Sequence, residues 1–319
     1  MPSAGDEISL DAVRNLLAAH GMNAAGLRPI ATGRFNRSFC ASLDDGSEVV
    51  VRIAPPDEAD FLFYEKRMML QEPGIHRLLK EKTGIPVPAI LAFDFSRERI
   101  GRDYLVMSRI RGEALSDAAL SSAAMSRALE ETGALLRELH DKCRTDKYGY
   151  LGEHRPMLPC DTWLSAFRTM WRLLVEDIRA CKAYDADEAA RVVDALERKL
   201  HCFDRQVESR LLHMDVWSQN ILVDESGSVT GIVDWDRALW GDVEIEFAVL
   251  DYCGISTDAF WKGYGRERDE SEAASIRRAF YYLYELQKYI VIRSLRGGRP
   301  QDVRGYKAQA GRILAAIGR

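Results

Sequence analysis

The stretch from Leu211 to Asp224, LLHMDVWSQNILVD, followed by GIVDWD at Gly231 to Asp236, decides the fold of this 319-residue chain. An apolar pair of leucines leads into His213-x-Asp215, and Asn220 follows five residues after Asp215. A second apolar run then ends at Asp234. Because these polar residues stand at the ends of apolar runs, we expect them to share one site.

The residues between Asn220 and Asp234 predict a hairpin. Ile221 to Val223 form one short apolar run, Asp224 to Gly227 have the composition of a tight turn, and Ile232-Val233 form the second run. Such a hairpin brings Asn220 and Asp234 toward a common point from its two arms.

An Asp on a fixed loop can accept a hydrogen bond, and later the proton, from a substrate hydroxyl. Asn220 and Asp234 offer the hard oxygen ligands that Mg²⁺ prefers. This order of residues resembles the catalytic loop of kinase-like phosphotransferases, and the resemblance implies that Asp215 is the base of a phosphoryl transfer and that Asn220 and Asp234 are metal ligands. The alternative is that Asp215 and Asn220 cap turns and that Asp234 only ends a strand.

Two neighbouring residues have open roles. His213 stands as a second candidate catalytic residue, although bracing the loop through hydrogen bonds is the role we favour. Asp236 could extend the acidic site, touch the substrate or be a charge at the exit of a strand.

The run HMDVWSQNILVD…GIVDWDRALWGDVEIEFAVL resembles the aminoglycoside phosphotransferase (APH) family, a relative of the choline, fructosamine and homoserine kinases. The resemblance extends upstream in fragments to about Ile30. It differs from protein kinases, because Trp235 stands where they have Phe, no Gly follows, and no Ala-Pro-Glu segment is present. It implies an α+β, bilobal, protein-kinase-like fold, with a small β-rich N-lobe (1–110) and a larger α-helical C-lobe (111–319).

Periodicity is consistent with that layout. A helix is expected from Ser9 to about His20, followed by β structure from Ile30 to Ile53 with a turn at Asp45-Gly46. Helices are expected at 57–70 and 73–82, and strands at 89–95 and 104–110. After Gly112 the apolar spacing predicts helices near 121–142, 161–182, 185–203, 270–296 and 301–317.

The resemblance also places a nucleotide between the two lobes. Gly33, Asn36 and Ser38 belong to the loop that covers the triphosphate. Arg52 stands where kinases carry the lysine that holds the phosphates, and it remains charged with two donors to offer. Glu72 is its expected carboxylate partner, with Glu65 as a rival.

Tyr104 to Ile110 resembles the hinge of the family. Adenine would bond there to backbone groups of Ser108 and Ile110. Side-chain identity carries little information at a hinge of this kind.

Composition excludes several other classes. The net charge is −5 with a pI near 5.8 and no basic run, so nucleic acid is not an expected partner. The acidic N-terminus has no apolar core typical of a signal peptide, and no apolar stretch reaches the length of a membrane span. Six scattered cysteines without CxxC pairs predict reduced thiols in a cytoplasmic protein.

The sequence therefore predicts an ATP- or GTP-dependent kinase that uses Mg²⁺ and acts on a hydroxyl of a small molecule. A cationic acceptor such as an aminoglycoside, with a role in antibiotic resistance, is the first expectation. A metabolite kinase of the fructosamine, choline or homoserine type is the second. A nucleotide-binding pseudokinase is a third, favoured only by Arg52 in place of Lys. The sequence indicates no oligomeric state.

Overall fold

The computed structural model describes residues 8–31, 35–57, 60–152 and 156–318. The fold is α+β, with a β-sheet in the N-terminal region and mainly helices in the C-terminal part. This is the arrangement that the sequence predicts.

The N-terminal sheet is antiparallel. Its order is β1-β2-β3-β5-β4, from strands β1 (Ala24–Ile30), β2 (Arg37–Leu43), β3 (Glu48–Ile53), β4 (Ile90–Asp94) and β5 (Tyr104–Ser108). The expected turn between β2 and β3 is present, with Gly46 at a φ of +81° that favours glycine. Strand β1 lies upstream of the predicted β region, because Gly26 and Pro29 obscure its pattern; both are tolerated on the edge of a sheet.

The helices follow the predicted apolar spacing in most places. They are α1 (Leu10–Ala18), α2 (Glu72–Lys82), α3 (Ser122–Lys142), α4 (Trp163–Ala180), α5 (Ala186–Glu197), α6 (Val243–Cys253), α7 (Asp258–Tyr264), α8 (Glu272–Leu295) and α9 (Pro300–Ile317). Helix α1 begins as expected, with the Ser9 hydroxyl accepting the amide of Ala12 at 3.1 Å. Within the residues that the structure covers, no helix is both long and apolar enough to cross a lipid bilayer.

The helix expected at 57–70 is wrong. Apart from a short 3₁₀ turn at Met68–Gln71, the described residues of this segment are not helical. Leu62 and Tyr64 are both buried among the C-terminal helices, where the chain forms turns from Phe63 to Arg67. Tertiary burial of alternate apolar residues has here overridden the helical spacing.

Short strands position the loop that carries His213, Asp215 and Asn220. Strands β6 (Glu113–Ala114), β9 (Ile221–Val223) and β10 (Val229–Ile232) form one small sheet, and β7 (Arg144–Thr145), β8 (Ser209–Leu212) and β11 (Leu239–Gly241) form another. Strands β9 and β10 are the arms of the predicted hairpin. Gly227 in its turn has a φ of +81°, and a Cβ there would lie 2.3 Å from the carbonyl of Ala124.

Candidate active site

The loop between β8 and β9 is held by a buried carboxylate. Met214 has a φ of 64°, a conformation that costs a non-glycine residue about 1–3 kcal/mol. Glu246 of α6 accepts the amides of His213 at 3.1 Å and Met214 at 2.7 Å, and its side chain lies 3.0 Å from Nε2 of His140. Burial acts to raise the pKa of Glu246, but these partners outweigh it and hold that pKa below its usual value.

His213 braces the loop from inside. Its Nδ1 accepts the amide of Asp215 at 3.2 Å, so Nε2 carries the proton and donates to the carbonyl of Val233 at 3.0 Å. The ring packs on Trp235 with centroids 4.3 Å apart, and the residue has no exposed surface. This geometry fits a positioning role better than direct contact with a substrate.

Asp215 and Asn220 lie together at the end of the loop. The Asn220 amide nitrogen donates to the Asp215 carbonyl at 2.9 Å and to its Oδ2 at 3.3 Å, which leaves the amide oxygen of Asn220 outside these bonds. The amide of Val233 donates to the carbonyl of Asn220 at 3.0 Å, so the residue before Asp234 is fixed beside Asn220. The hairpin therefore brings the three predicted residues into one region.

Arg52 of β3 reaches from the N-terminal sheet to the end of the hairpin. One guanidinium nitrogen donates to both carboxylate oxygens of Glu72, at 2.8 and 2.7 Å. The other donates to Asp234 at 2.5 Å and to Asp236 at 3.0 Å. A single buried arginine thus joins three carboxylates from two parts of the chain.

The partner of Arg52 is Glu72, which lies at the first position of α2. Glu65 has other partners. Its side chain accepts the amide of Leu62 at 2.8 Å and forms an ion pair with Arg296 at the end of α8.

The carboxylates of Glu72, Asp234 and Asp236 offer oxygen atoms that all lie within 4.8 Å of one another. Burial raises the pKa of Glu72 to about 7. Burial, and then the charge of Asp234, raise the pKa of Asp236 well above its usual range. For Asp234 the charges of Arg52 and Arg237 outweigh desolvation and hold its pKa below the usual value.

These donors fit a magnesium ion. One arginine does not balance three carboxylates, and the raised pKa values of Glu72 and Asp236 reflect this; a divalent cation would stabilise their ionised forms. Carboxylate oxygens, with the amide oxygen of Asn220 nearby, are hard ligands of the kind that Mg²⁺ takes. Sequence spacing gave Asp234 and Asn220 this role but left Asp236 open, although Asp236 lies in the same cluster.

The predicted phosphate loop is described in part. Gly33 lies outside the described residues. Asn36 is buried and donates to Asp236 at 3.0 Å, while its amide oxygen is buried without a described partner. Ser38 pairs with Arg52 across β2 and β3. The loop end is therefore tied to the carboxylate cluster through Asn36.

The hinge strand offers one free amide at the expected place. The amide of Ser108 donates to the carbonyl of Ala89 at 2.8 Å, and the Ser108 hydroxyl accepts the Ala89 amide at 2.8 Å. Among the hydrogen bonds of the described residues, none uses the Ile110 amide. Ile110 thus has the freer backbone of the two predicted adenine contacts.

A cationic residue that sequence reasoning missed contacts the predicted base. Arg237 donates to Oδ1 of Asp215 at 3.1 Å, and its other nitrogen lies 4.0 Å from Glu65. Next to Glu65, Tyr64 stacks on Tyr150 with centroids 4.8 Å apart. These contacts join residues that are distant in the chain, so local sequence spacing does not predict them.

An antiparallel N-terminal sheet, a helical C-terminal part and a His-x-Asp loop beside an acidic hairpin define a kinase-like phosphotransferase. The model of the phosphotransferase enzyme family (APH) matches residues 26–280. The chain belongs to this family.

The proteins to which the chain is similar are named for different substrates. A probable ketoamine kinase from Staphylococcus aureus is 25% identical over 227 residues, which cover 66% of this chain and 71% of that protein. Among solved structures, a thermostable mutant of aminoglycoside phosphotransferase APH(4)-Ia, in complex with AMP-PNP and hygromycin B, has a TM-score of 0.68 at 20% identity. That match covers 96% of this chain and 99% of the other.

A candidate fructosamine-3-kinase from Thermobifida fusca also has a TM-score of 0.68, at 18% identity, over 97% of this chain and 99% of that one. At these identities the two structures establish the fold.

Proposed function

We propose that this phosphotransferase moves the γ-phosphoryl group of ATP or GTP to a hydroxyl of a small molecule, with Mg²⁺ as cofactor. The observation that carries the proposal is the bond from Arg52 to Asp234, which joins the nucleotide side (1–110) to the catalytic side (111–319). Phosphoryl transfer depends chiefly on positioning and charge compensation, and this geometry supplies both.

Asp215 is the proposed base. Its carboxylate is partly exposed, and Asn220 and Arg237 fix its orientation. It would accept a hydrogen bond from the acceptor hydroxyl and then the proton. His213 holds the Asp215 backbone and does not itself need to reach the substrate.

Asn220 and Asp234 are the proposed metal ligands, with Asp236 as a further carboxylate of the cluster. Bound Mg²⁺ would neutralise charge on the phosphate oxygens. Arg52, oriented by Glu72, contributes a fixed positive charge toward the phosphates. Asp236 and Asn36 connect that charge to the loop expected to cover them.

The nucleotide base is assigned to the hinge. Ile110 would supply its free amide, and Ser108 would line the same edge. Gly33 and Ser38 complete the proposed contacts at the phosphate loop.

The acceptor has two candidate classes. An aminoglycoside acceptor is suggested by the fold shared with APH(4)-Ia, and a ketoamine acceptor by the relative from Staphylococcus aureus. The first would make the protein an antibiotic-resistance enzyme and the second a metabolite kinase.

Acceptor-stimulated ADP release tests the proposal. The purified protein is assayed with Mg²⁺ and either ATP or GTP against a panel of aminoglycosides and ketoamines. We expect one class to stimulate release, and EDTA to abolish the stimulation. Nucleotide binding without any stimulated release would favour a pseudokinase instead.

A further inference from the structure

The C-terminal end of helix α8 lies beside both the proposed base and the predicted phosphate loop. Arg296, which follows the helix, forms an ion pair with Glu65, and Glu65 lies 4.0 Å from Arg237, the arginine that donates to the proposed base Asp215 at 3.1 Å. At the end of the helix, the Arg296 guanidinium lies 5.2 Å from the ring centre of Phe35, beside the phosphate loop. An acceptor must lie between the γ-phosphate and Asp215, and this end of α8 flanks that space.

Arg293 lies on the same part of α8, one helical turn after Tyr289 and three residues before Arg296. It lines a groove of about 690 Å³ between the end of α8 and the start of α9, together with Arg299, Asp302 and Tyr306. Arg299 and Asp302 are paired at 3.0 Å. Arg293, in contrast, has neither an ion pair nor a hydrogen bond to a side chain among the described residues.

The other charges on this part of α8 are already compensated. Glu285 is paired with Lys288, and both are almost completely buried. Arg296 is paired with Glu65. Asp302 lines the same groove as Arg293 and Arg299 and pairs with Arg299, so these three side chains together carry one net positive charge.

Stacked tyrosines extend from the groove along α8 to α6. The ring of Tyr289 stacks on Tyr252 at 4.9 Å and on Tyr306 at 5.6 Å between centroids. Tyr306 lines the groove, and Tyr252 lies on α6, the helix whose Glu246 holds the loop that carries Asp215. All three are partly exposed, so they offer an edge or face to a bound molecule.

We propose that the acceptor carries an anionic group, a carboxylate in the simplest case, that Arg293 binds, while the rest of the acceptor lies along Tyr306 and Tyr289 with its hydroxyl toward Asp215. This inference rests on the proposed function and narrows its acceptor. It disfavours polycationic aminoglycosides, because their ammonium groups would enter a groove whose net charge is positive. A ketoamine of an amino acid has the required chemistry.

The test uses two acceptors that differ only in charge: the ketoamine formed from glucose and glycine, and its glycinamide counterpart. Binding is measured by calorimetry with AMP-PNP and Mg²⁺, and transfer by ADP release. Hygromycin B serves as the polycationic probe. Arg293→Gln is compared with Arg304→Gln, an exposed arginine of α9 outside the groove.

We expect the wild-type protein to bind the carboxylate at least about tenfold more tightly than the amide, the effect of a charge-assisted hydrogen bond. Arg293→Gln should remove that difference by raising KM for the carboxylate, with kcat nearly unchanged, while Arg304→Gln keeps it. Arg293→Glu should bind the amide more tightly than the carboxylate, a reversal that general loss of structure would not produce.

Equal binding of the two ketoamines, tighter binding of hygromycin B, or no measurable binding of the carboxylate would overturn the inference. If the carboxylate and the amide stimulate ADP release equally, the inference fails but the proposed function stands. Failure of the proposed function has a different signature, namely calorimetric binding of acceptor without ADP release from any acceptor.

Discussion

At the scale of single residues, the site is organised by buried charges that bridge distant segments. Arg52 bonds to Glu72, Asp234 and Asp236, and Glu246 accepts backbone amides of the loop between β8 and β9. Such charges are stable only when they are paired, so removing one partner leaves an uncompensated charge in the interior.

Arg52→Ala should therefore weaken nucleoside triphosphate binding and leave adenosine binding unchanged. The side chain is proposed to act on phosphates, which adenosine lacks. Arg52→Lys should be partly active, because it restores the charge but not the two-pronged geometry. Dissociation constants for ATP and adenosine measure this. Unchanged ATP affinity in Arg52→Ala would remove Arg52 from the nucleotide site.

Local spacing in the sequence singled out Asp215, Asn220 and Asp234, which the fold brings into one region. The family resemblance gave Glu72 as the expected partner of Arg52, with Glu65 as a rival, and the structure pairs Arg52 with Glu72. The sequence could not reveal Arg237 against Asp215 or Arg296 against Glu65. Those pairs depend on how distant elements pack, and each arginine alone looks like a solvated charge.

At the scale of elements, close backbone approach decides how the C-terminal helices pack. A Cβ on Gly133 of α3 would lie 2.1 Å from the carbonyl of Phe260 in α7, and one on Gly263 would lie 1.8 Å from the carbonyl of Glu130. The crossing of α3 and α7 thus requires glycine on both sides. Gly311 of α9, in contrast, has nothing within 4 Å of such an atom.

Gly133→Ala should lower the free energy of unfolding by about 1–3 kcal/mol, the usual cost of overpacking. Gly311→Ala should raise it by about 0.5–1 kcal/mol, since alanine favours a helix over glycine. Urea unfolding of both variants measures the contrast. The packing account fails if Gly133→Ala is as stable as Gly311→Ala.

The segment around Leu62 is a second element whose structure the sequence did not predict. Its apolar residues allow a helix by spacing, yet the chain forms turns from Phe63 to Arg67, and Leu62 is completely buried in the C-terminal core. Leu62→Ala should cost about 2–5 kcal/mol. Leu91→Ala, at a side chain 48% exposed on β4, should cost much less. Similar losses in thermal or urea unfolding would contradict the burial of Leu62.

At the scale of the whole molecule, the segment around Leu62 contacts the C-terminal helices, so it joins the N-terminal region to the helical part as Arg52 does. Asp177 of α4 accepts the amide of Phe63 at 2.8 Å, and Arg296 of α8 bonds to the Asp60 carbonyl at 2.8 Å. The cleft in which the nucleotide is proposed to bind is thus bounded by contacts from both parts of the chain.

The contact between Asp177 and Phe63 makes the stability of the protein depend on pH. Burial raises its pKa in the folded protein to about 6. Since an unfolded Asp titrates near about 3.9, the folded state binds more protons between these values, and stability falls as pH rises through the window from about 4 to 6. Asp177→Asn should remove this loss. The free energy of unfolding of the variant should therefore exceed that of the wild type at pH 8 but not at pH 4. Asp146→Asn, at an exposed site, is the control. An identical pH profile of unfolding for wild type and Asp177→Asn would contradict the assignment.

The central claim is that Asp215 orients an acceptor hydroxyl for phosphoryl transfer. The most direct measurement is acceptor-stimulated ADP release by Asp215→Ala, with nucleotide affinity measured in parallel. Turnover should fall by about 10²–10⁴-fold, the usual contribution of a general base, while nucleotide affinity stays within about twofold because the nucleotide is held elsewhere. Turnover within about threefold of wild type, which is far less than that contribution, would contradict the claim.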